Sequence, residues 1–286
     1  MPSAFSGFPG SQMIRQEIAS RISAVFNDRS RGERPIQPQT DALFPPDSIV
    51  RQVHGDVVAM TVGGLSALLL QMLHPAVLAG VWDHSNFRED MHGRLRRTAR
   101  FIAVTTYAHR HDGLAAIARV RAIHERIDGM LPNGTAYFAS DPALLAWVHL
   151  TETSSFLQAW RRFANPGMKQ AERDRYFAEM ARIGHMLGAD PVPMSEHEAR
   201  RQINRTRGVL RNDERSSEVC RLLLAQQSAF PGGSMTRELL TRSAVDLLPF
   251  WARRMHGLSS SGPAFPLIGA ATYGAAETIR WAFRSS

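Results

Sequence analysis

The sequence predicts an all-α protein. Three observations carry that expectation. Apolar residues recur at helical spacing from Ser48 to about Phe163, and the segments beyond repeat the amphipathic pattern. No run of alternating apolar and polar residues is long enough to build a sheet. With 44% hydrophobic and 21% charged residues in 286, the chain can bury one sizeable core. A single helical domain over residues 46–286 is expected, preceded by an N-terminal arm over residues 1–45.

The arm holds a short helical stretch near Gln12–Phe26. It then runs through "NDRSRGERPIQPQTDALFPP", whose prolines forbid a continuous helix. No basic start precedes an apolar core, so a secretory signal is not expected. The uncharged run Val57–Trp82 is interrupted by Gly63, Gly64, Gln71, His74 and Pro75. Two core helices meeting at "LHPAV" are the plainer reading than one membrane span. Next come "GRLRRTARFIAVTTYA" and "GLAAIARVRAIHERIDGM", both helical, then "PNGTAYFASD", a loop with room for a short extended piece. "DPALLAWVHLTETSSFLQAWRRF" opens with Asp141 as N-cap and Pro142 in the first turn, and "NPG" stops it. "QAERDRYFAEMARIGHMLG" ends at Gly188; "PMSEHEARRQINRTRGVL", "SSEVCRLLLAQQ", "TRELLTRSAVDLLPFWARRMHG" and "YGAAETIRWAFR" complete the set.

The formal charge is +8, carried almost wholly by arginine, with Lys169 the single lysine. The basic residues are spread over several helices and balanced locally by Asp and Glu, so a nucleic-acid partner is not expected. Attraction to an anionic membrane surface, a peripheral membrane contact, stays open. The charge-rich stretches near residues 171–184 and 199–215 read as solvated helix faces. Cys220 is the single cysteine, which excludes an intrachain disulfide and a cysteine metal cluster, and suits a reducing, cytoplasmic setting.

The arginines of "GRLRRTARF" carry the most chemistry. At about 100° per residue, Arg94, Arg97, Thr98, Phe101 and Thr105 share an arc of about 100°, with Arg96 and Arg100 on the far side. A guanidinium on an apolar stripe needs an anion to meet it. A structural salt bridge satisfies that demand; so does a cofactor bearing carboxylates or phosphates, which arginine grips through its planar fork. The following helix puts Ile117, Val120, His124 and Ile127 on one apolar face. A histidine there is a satisfied core residue or a ligand that holds haem iron from one side. His149 is the rival ligand, with Glu152 one turn on to orient its ring. His74, before Pro75, reads as a cap at a helix break, and His84 as part of a turn cluster with Asp83, Ser85 and Asn86. "DLLPFWARRMHGL" reads as core, with substrate lining or membrane contact as alternatives.

Taken together, "LLLQMLHP", "DHSNF", "RLRRT", "VRAIHERIDG" and "DPALLAWVH" resemble the MpaB/latex-clearing-protein oxygenase family, over about residues 45 to 258. The resemblance implies a globin-like helical core, bound haem b, and dioxygen used to cleave or oxidise a small hydrophobic substrate. In the family's distal Arg-x-x-Lys-Thr segment, Arg94 takes the place of the Arg, Arg97 of the Lys and Thr98 of the Thr; His124 matches the proximal iron ligand. On this reading Arg94 and Thr98 are catalytic, His124 binds iron, and Arg94, Arg97, Thr98 and His149 are candidates for cofactor contact. Two departures bear on substrate. Arg97 has no lone pair with which to cap iron, so the distal position is expected to hold water or stand open. Residues 57–82 offer no carboxylate base, Asp83 being the first, which points away from polyisoprene and toward another apolar substrate. A non-catalytic haem or lipid carrier, and a helical adaptor with a salt-bridged arginine stripe, are the competing readings.

Overall fold

A computed structural model describes residues 32–226, 233–262 and 265–283. The expected helix near Gln12–Phe26 lies outside these residues. The protein is all-α, as the sequence predicts. Its helices are α1 (Ile49–His54), α2 (Val57–Gln71), α3 (Pro75–His84), α4 (Met91–Tyr107), α5 (Arg110–His124), α6 (Pro142–Phe163), α7 (Gln170–Leu187), α8 (Glu196–Thr206), α9 (Glu214–Ala225), α10 (Gly233–Leu247), α11 (Phe250–Met255) and α12 (Phe265–Phe283).

The starts are set by side-chain caps. Ser48, Asp56, Asp90, Asp141 and Ser195 each accept from a backbone N–H two or three residues on, satisfying donors that the first turn leaves orphaned. Gly188 ends α7 in the left-handed conformation at φ 93°, which glycine adopts without a Cβ penalty. The uncharged stretch does break at "LHPAV". α2 and α3 meet at 104°, with Pro75 in the first turn of α3. Both helices are largely buried, and no single described helix is long and apolar enough to cross a membrane. One departure from a purely helical chain is a ribbon of β1 (Asp128–Met130) and β2 (Ala136–Phe138), antiparallel, with Gly129 opposite Tyr137. Three residues per strand are too few for alternation to register in the sequence.

The centre of the fold is the crossing of α2 and α6. Gly63 makes it close: a Cβ there would lie 2.9 Å from both the Phe156 ring and the Ser155 carbonyl oxygen. Around it pack Leu69, Leu73, Trp147, Leu150, Tyr176 and Phe177, each no more than 2% exposed. α12 is tied to this centre by Arg280, whose guanidinium meets Asp56 at 2.5 Å and the Phe163 carbonyl at 2.7 Å. The described part of the expected arm docks rather than dangles. Leu43 and Phe44 are buried, and Gln39 N–H donates to the Tyr107 carbonyl at 2.8 Å. The "DLLPFWARR" stretch divides: Leu248 and Ala252 are core, while Phe250 is 71% exposed. On α8, Glu196 is buried and receives Arg161 at 3.1 Å and Arg200 at 2.7 Å.

Candidate active site

α4 and α5 are joined by two residues and pack side by side, so they run antiparallel. Arg94, in the first turn of α4, and His124, the last residue of α5, therefore stand at one end of the pair. α6 is surrounded by α1, α2, α3, α7, α8, α10 and α12, but extensive packing between α4 and α6 is lacking. On α6 one stripe, Leu144, Val148 and Glu152, keeps part of its surface accessible while Leu145, Ala146, Trp147, His149, Leu150 and Thr151 between them are buried. Spacing of four puts those three on a single line. On α5, Ala116, Val120 and His124 form a matching half-accessible line. The half-accessible lines of α5 and α6 belong to helices without extensive packing against each other, and the space between the α4–α5 pair and α6 is called the hollow below.

Polar groups gather at this hollow. Arg94 is half-buried and donates to Ser85 Oγ at 3.1 Å. Burial pulls its pKa down, the Arg97 charge does the same, and Glu152 opposes both. The Gln71 amide donates to the Val148 carbonyl at 3.4 Å. Burial pushes the Glu152 carboxyl up to about 7, against the opposing pull of the Gln71 amide and the Arg94 charge. Behind it, His54 Nε2 lies 3.2 Å from the Tyr176 hydroxyl and His54 Nδ1 lies 2.9 Å from Thr106 Oγ1. The His54 ring is driven to about 3 by burial and is neutral.

The sequence-predicted residues divide among these surroundings. His124 is half-buried, its pKa is lowered by burial, and its Nδ1 is enclosed without a hydrogen-bond partner. Arg97 leaves the apolar stripe: its side chain is 51% exposed and pairs with Asp90 at 3.3 Å, the residue that caps α4. Arg100, expected on the solvated side, is partly covered and meets Glu33 at 3.5 Å. Thr98 Oγ1 donates to the Arg94 carbonyl of its own helix at 3.3 Å. His149 is buried against α7, where a Cβ on Gly184 would come within 3.0 Å of its Nε2; Thr153 Oγ1 lies 3.5 Å from that nitrogen. The groups that act on the Glu152 carboxyl are Gln71 and Arg94, and His149 is not among them. His74 caps α3 by position, but its side chain makes no capping bond and its Nδ1 is enclosed and unpartnered, 6.4 Å ring to ring from Trp147, whose Nε1 is also unpartnered. His84 Nε2 lies 3.0 Å from the Asp128 carbonyl, and Asp83 accepts from the Tyr137 hydroxyl at 2.9 Å, so both bind α3 to the ribbon. Cys220 is buried with its thiol pushed up to about 11, a packing position.

Sequence reasoning placed Glu152 beside His149 and missed Gln71, His54 and Tyr176. A polar Gln71 at the end of an apolar helix was the one available signal.

Among the described residues no three His, Cys, Asp or Glu side chains converge as a metal cage. A haem needs only one protein nitrogen, and a neutral, enclosed imidazole with a free Nδ1 at an apolar hollow fits that demand. No curated protein and no solved structure matches the chain. A family model described as ER-bound oxygenase mpaB/B'/Rubber oxygenase, catalytic domain, matches residues 51–281, which takes in α2 to α11, most of α1 and α12, and every group around the hollow. The chain therefore belongs to this oxygenase family and is an enzyme of the oxidoreductase type, with dioxygen and an organic substrate as its reactants.

Proposed function

We propose that this oxygenase works with haem b and oxidises or cleaves a small hydrophobic substrate in the hollow between α4–α5 and α6. The observation that carries the reading is the pairing of a neutral, enclosed His124 with a desolvated Arg94 at one end of the α4–α5 pair. His124 would hold the iron through Nε2, its Nδ1 being the enclosed nitrogen. Arg94 would offer its guanidinium to a propionate or to the reacting side of the group. Bound haem supplies the dioxygen chemistry itself. Val120, Leu144 and Val148 line the hollow with apolar surface and would exclude water from the reacting groups.

Thr98 spends its hydroxyl proton on the Arg94 carbonyl, so toward the hollow it acts as an acceptor. Arg97, on the rim with Asp90, suits a carboxylate at the mouth better than a buried partner. His149 has Gly184 packed against the nitrogen it would need to offer, which favours His124 as the ligand. Family membership favours an enzyme over a haem or lipid carrier.

The test is an absorption spectrum of the full chain purified with haem supplied. A Soret band that travels with the protein at one haem per chain supports the reading. Protein that stays colourless, with unbound haem removed on a column, rejects it.

A further inference from the structure

The local balance of acid and base along the chain fails in two stretches. Residues 199–211 and 247–276 carry arginine and no Asp or Glu. In the first, Arg201, Arg205, Arg207 and Arg211 are exposed; in the second, Arg254 is exposed and Arg253 half-buried. The acids that flank these stretches are engaged. Glu198 accepts from the Met194 N–H at 2.7 Å, Asp213 caps α9 and meets Arg215 at 3.3 Å, and Glu277 meets Arg280 at 2.6 Å. Asp246 is buried, and its carboxylate accepts from the Ser261 N–H at 3.0 Å and the Ser261 hydroxyl at 2.6 Å.

The fold brings the two stretches to one end of the molecule. The Arg207 guanidinium lies over the Trp251 ring of α11, 5.0 Å from its centroid. The Asp246 carbonyl, near the end of α10, accepts from Arg253 at 3.1 Å and from Arg162 at 3.5 Å. Arg162 also touches the start of α12, where a Cβ on Gly269 would lie 3.6 Å from its Nη2. Three large apolar side chains stand in solvent at this end: Phe250 is 71% exposed, Leu267 73% and Val209 52%. The same end abuts the α2–α3 break, because the Arg211 N–H donates to the Leu73 carbonyl at 2.8 Å and His256 Nε2 lies 2.8 Å from the Leu69 carbonyl.

Exposed apolar side chains among unopposed arginines suit one kind of surface. Phe, Leu and Val gain by leaving water for acyl chains, and arginine can lay its stem in the apolar layer with its guanidinium among the phosphates. Anionic lipid attracts the charge. A second copy of this face would set guanidinium against guanidinium, and a nucleic acid would leave the three apolar side chains without apolar partners. We propose that this end docks the protein on an anionic lipid bilayer. Phe250, Leu267 and Val209 enter the interface, and Arg205, Arg207 and Arg254 meet lipid phosphates. Neither haem nor the identity of the substrate enters into this docking.

The test is co-sedimentation of the full chain with vesicles of phosphatidylcholine and phosphatidylserine, against vesicles of phosphatidylcholine alone. The chain should pellet with the mixed vesicles and stay largely in solution with the neutral ones. Salt at about 1 M, where screening acts within about 3 Å, should release most of it. Arg254→Glu should weaken partitioning by at least about fivefold, the share of one basic residue at such a surface. Phe250→Ser should weaken it by about tenfold or more. Met235→Ser, 78% exposed at the far end of α10, and Arg119→Glu, exposed on α5, should partition like the wild type. Pelleting with neither vesicle, equal pelleting with both, or equal loss in all four variants overturns the proposal. So does a wild-type chain that ignores vesicles and forms a dimer which Phe250→Ser dissociates, because the face then belongs to a second copy. If Phe250→Ser does not fold, Arg254→Glu and the comparison of lipids decide.

Discussion

Arg94 and His124 are at opposite ends of their helices and at the same end of the α4–α5 pair. The Arg94–Ser85 and His84–Asp128 hydrogen bonds tie the start of α4 to the chain just beyond α5. A basic group and an imidazole are thereby brought to one end of the pair with no contact between them required.

The first prediction concerns the imidazole. His124→Ala should purify with little or no haem after haem is supplied, while far-UV circular dichroism stays helical. His149→Ala should keep its haem, because that ring is packed on Gly184. Loss of haem from His149→Ala alone would move the ligand role there.

Position also separates the arginines. Arg94→Ala removes a half-buried guanidinium and its 3.1 Å hydrogen bond to Ser85 Oγ, a loss of about 1.5–3 kcal/mol for a hydrogen bond that involves a charged group. Arg97→Ala removes a half-exposed pair with Asp90 and should cost no more than about 1 kcal/mol. Haem occupancy and melting temperature, measured on Arg94→Ala, Arg96→Ala, Arg97→Ala and Arg100→Ala, should single out Arg94. Equal effects across the four would mean a diffuse charge network with no special site.

These cases show what the sequence could and could not reveal. The limits of α6 and the end of α7 were legible, because Asp141, Pro142, the "NPG" stop and Gly188 act through local backbone geometry. Arg94 was legible as a stripe residue. Arg97 was not, because a helical wheel does not know that Asp90 draws it outward, or that Glu33 covers Arg100 instead. Glu152 was assigned to the neighbour three residues back, whereas its partners come from α2 and α4, distant in sequence. The hollow itself follows from which helices fail to pack, and periodicity within one helix carries no trace of that.

The α2–α6 crossing gives a prediction about stability without chemistry. Gly63→Ala would place a methyl 2.9 Å from the Phe156 ring and the Ser155 carbonyl, both on the packed face of the central helix. Overpacking of this kind costs about 1–3 kcal/mol. Thermal melting should fall by roughly 2–4 °C per kcal/mol for a chain of this size class. Gly64→Ala, whose Cβ would meet only the Phe156 ring at 3.7 Å, should be tolerated. The reverse order would mean that α2 is rotated from the arrangement described.

The last prediction is acid sensitivity with a sign for each residue. His54 and His149 are held neutral by burial, with pKa values driven from 6.5 to about 3 and about 4. Unfolding frees both rings to protonate, so between about pH 6 and pH 4.5 the unfolded chain binds two more protons than the folded one at these sites. Stability then falls as pH drops, by about 1.4 kcal/mol per pH unit for each linked proton. Glu152 acts the other way. Its folded pKa of about 7 lies above the unfolded 4.5, so in this window the folded state holds the extra proton and stability rises as pH drops. His74, His124 and His256, also lowered by burial, add to the histidine side. Histidine wins, and the wild-type chain should lose at least about 1.4 kcal/mol per unit over this range. Urea unfolding at pH 6 and pH 5 reads these slopes directly. Relative to wild type, Glu152→Gln should steepen the loss by about 1.4 kcal/mol per unit, and His54→Gln should flatten it by a similar amount. The comparison uses slopes, so a constant loss of stability in either variant does not disturb it. A Glu152→Gln slope equal to wild type would mean that Glu152 titrates in the folded chain as it does in water, and that the hollow around it is open to solvent.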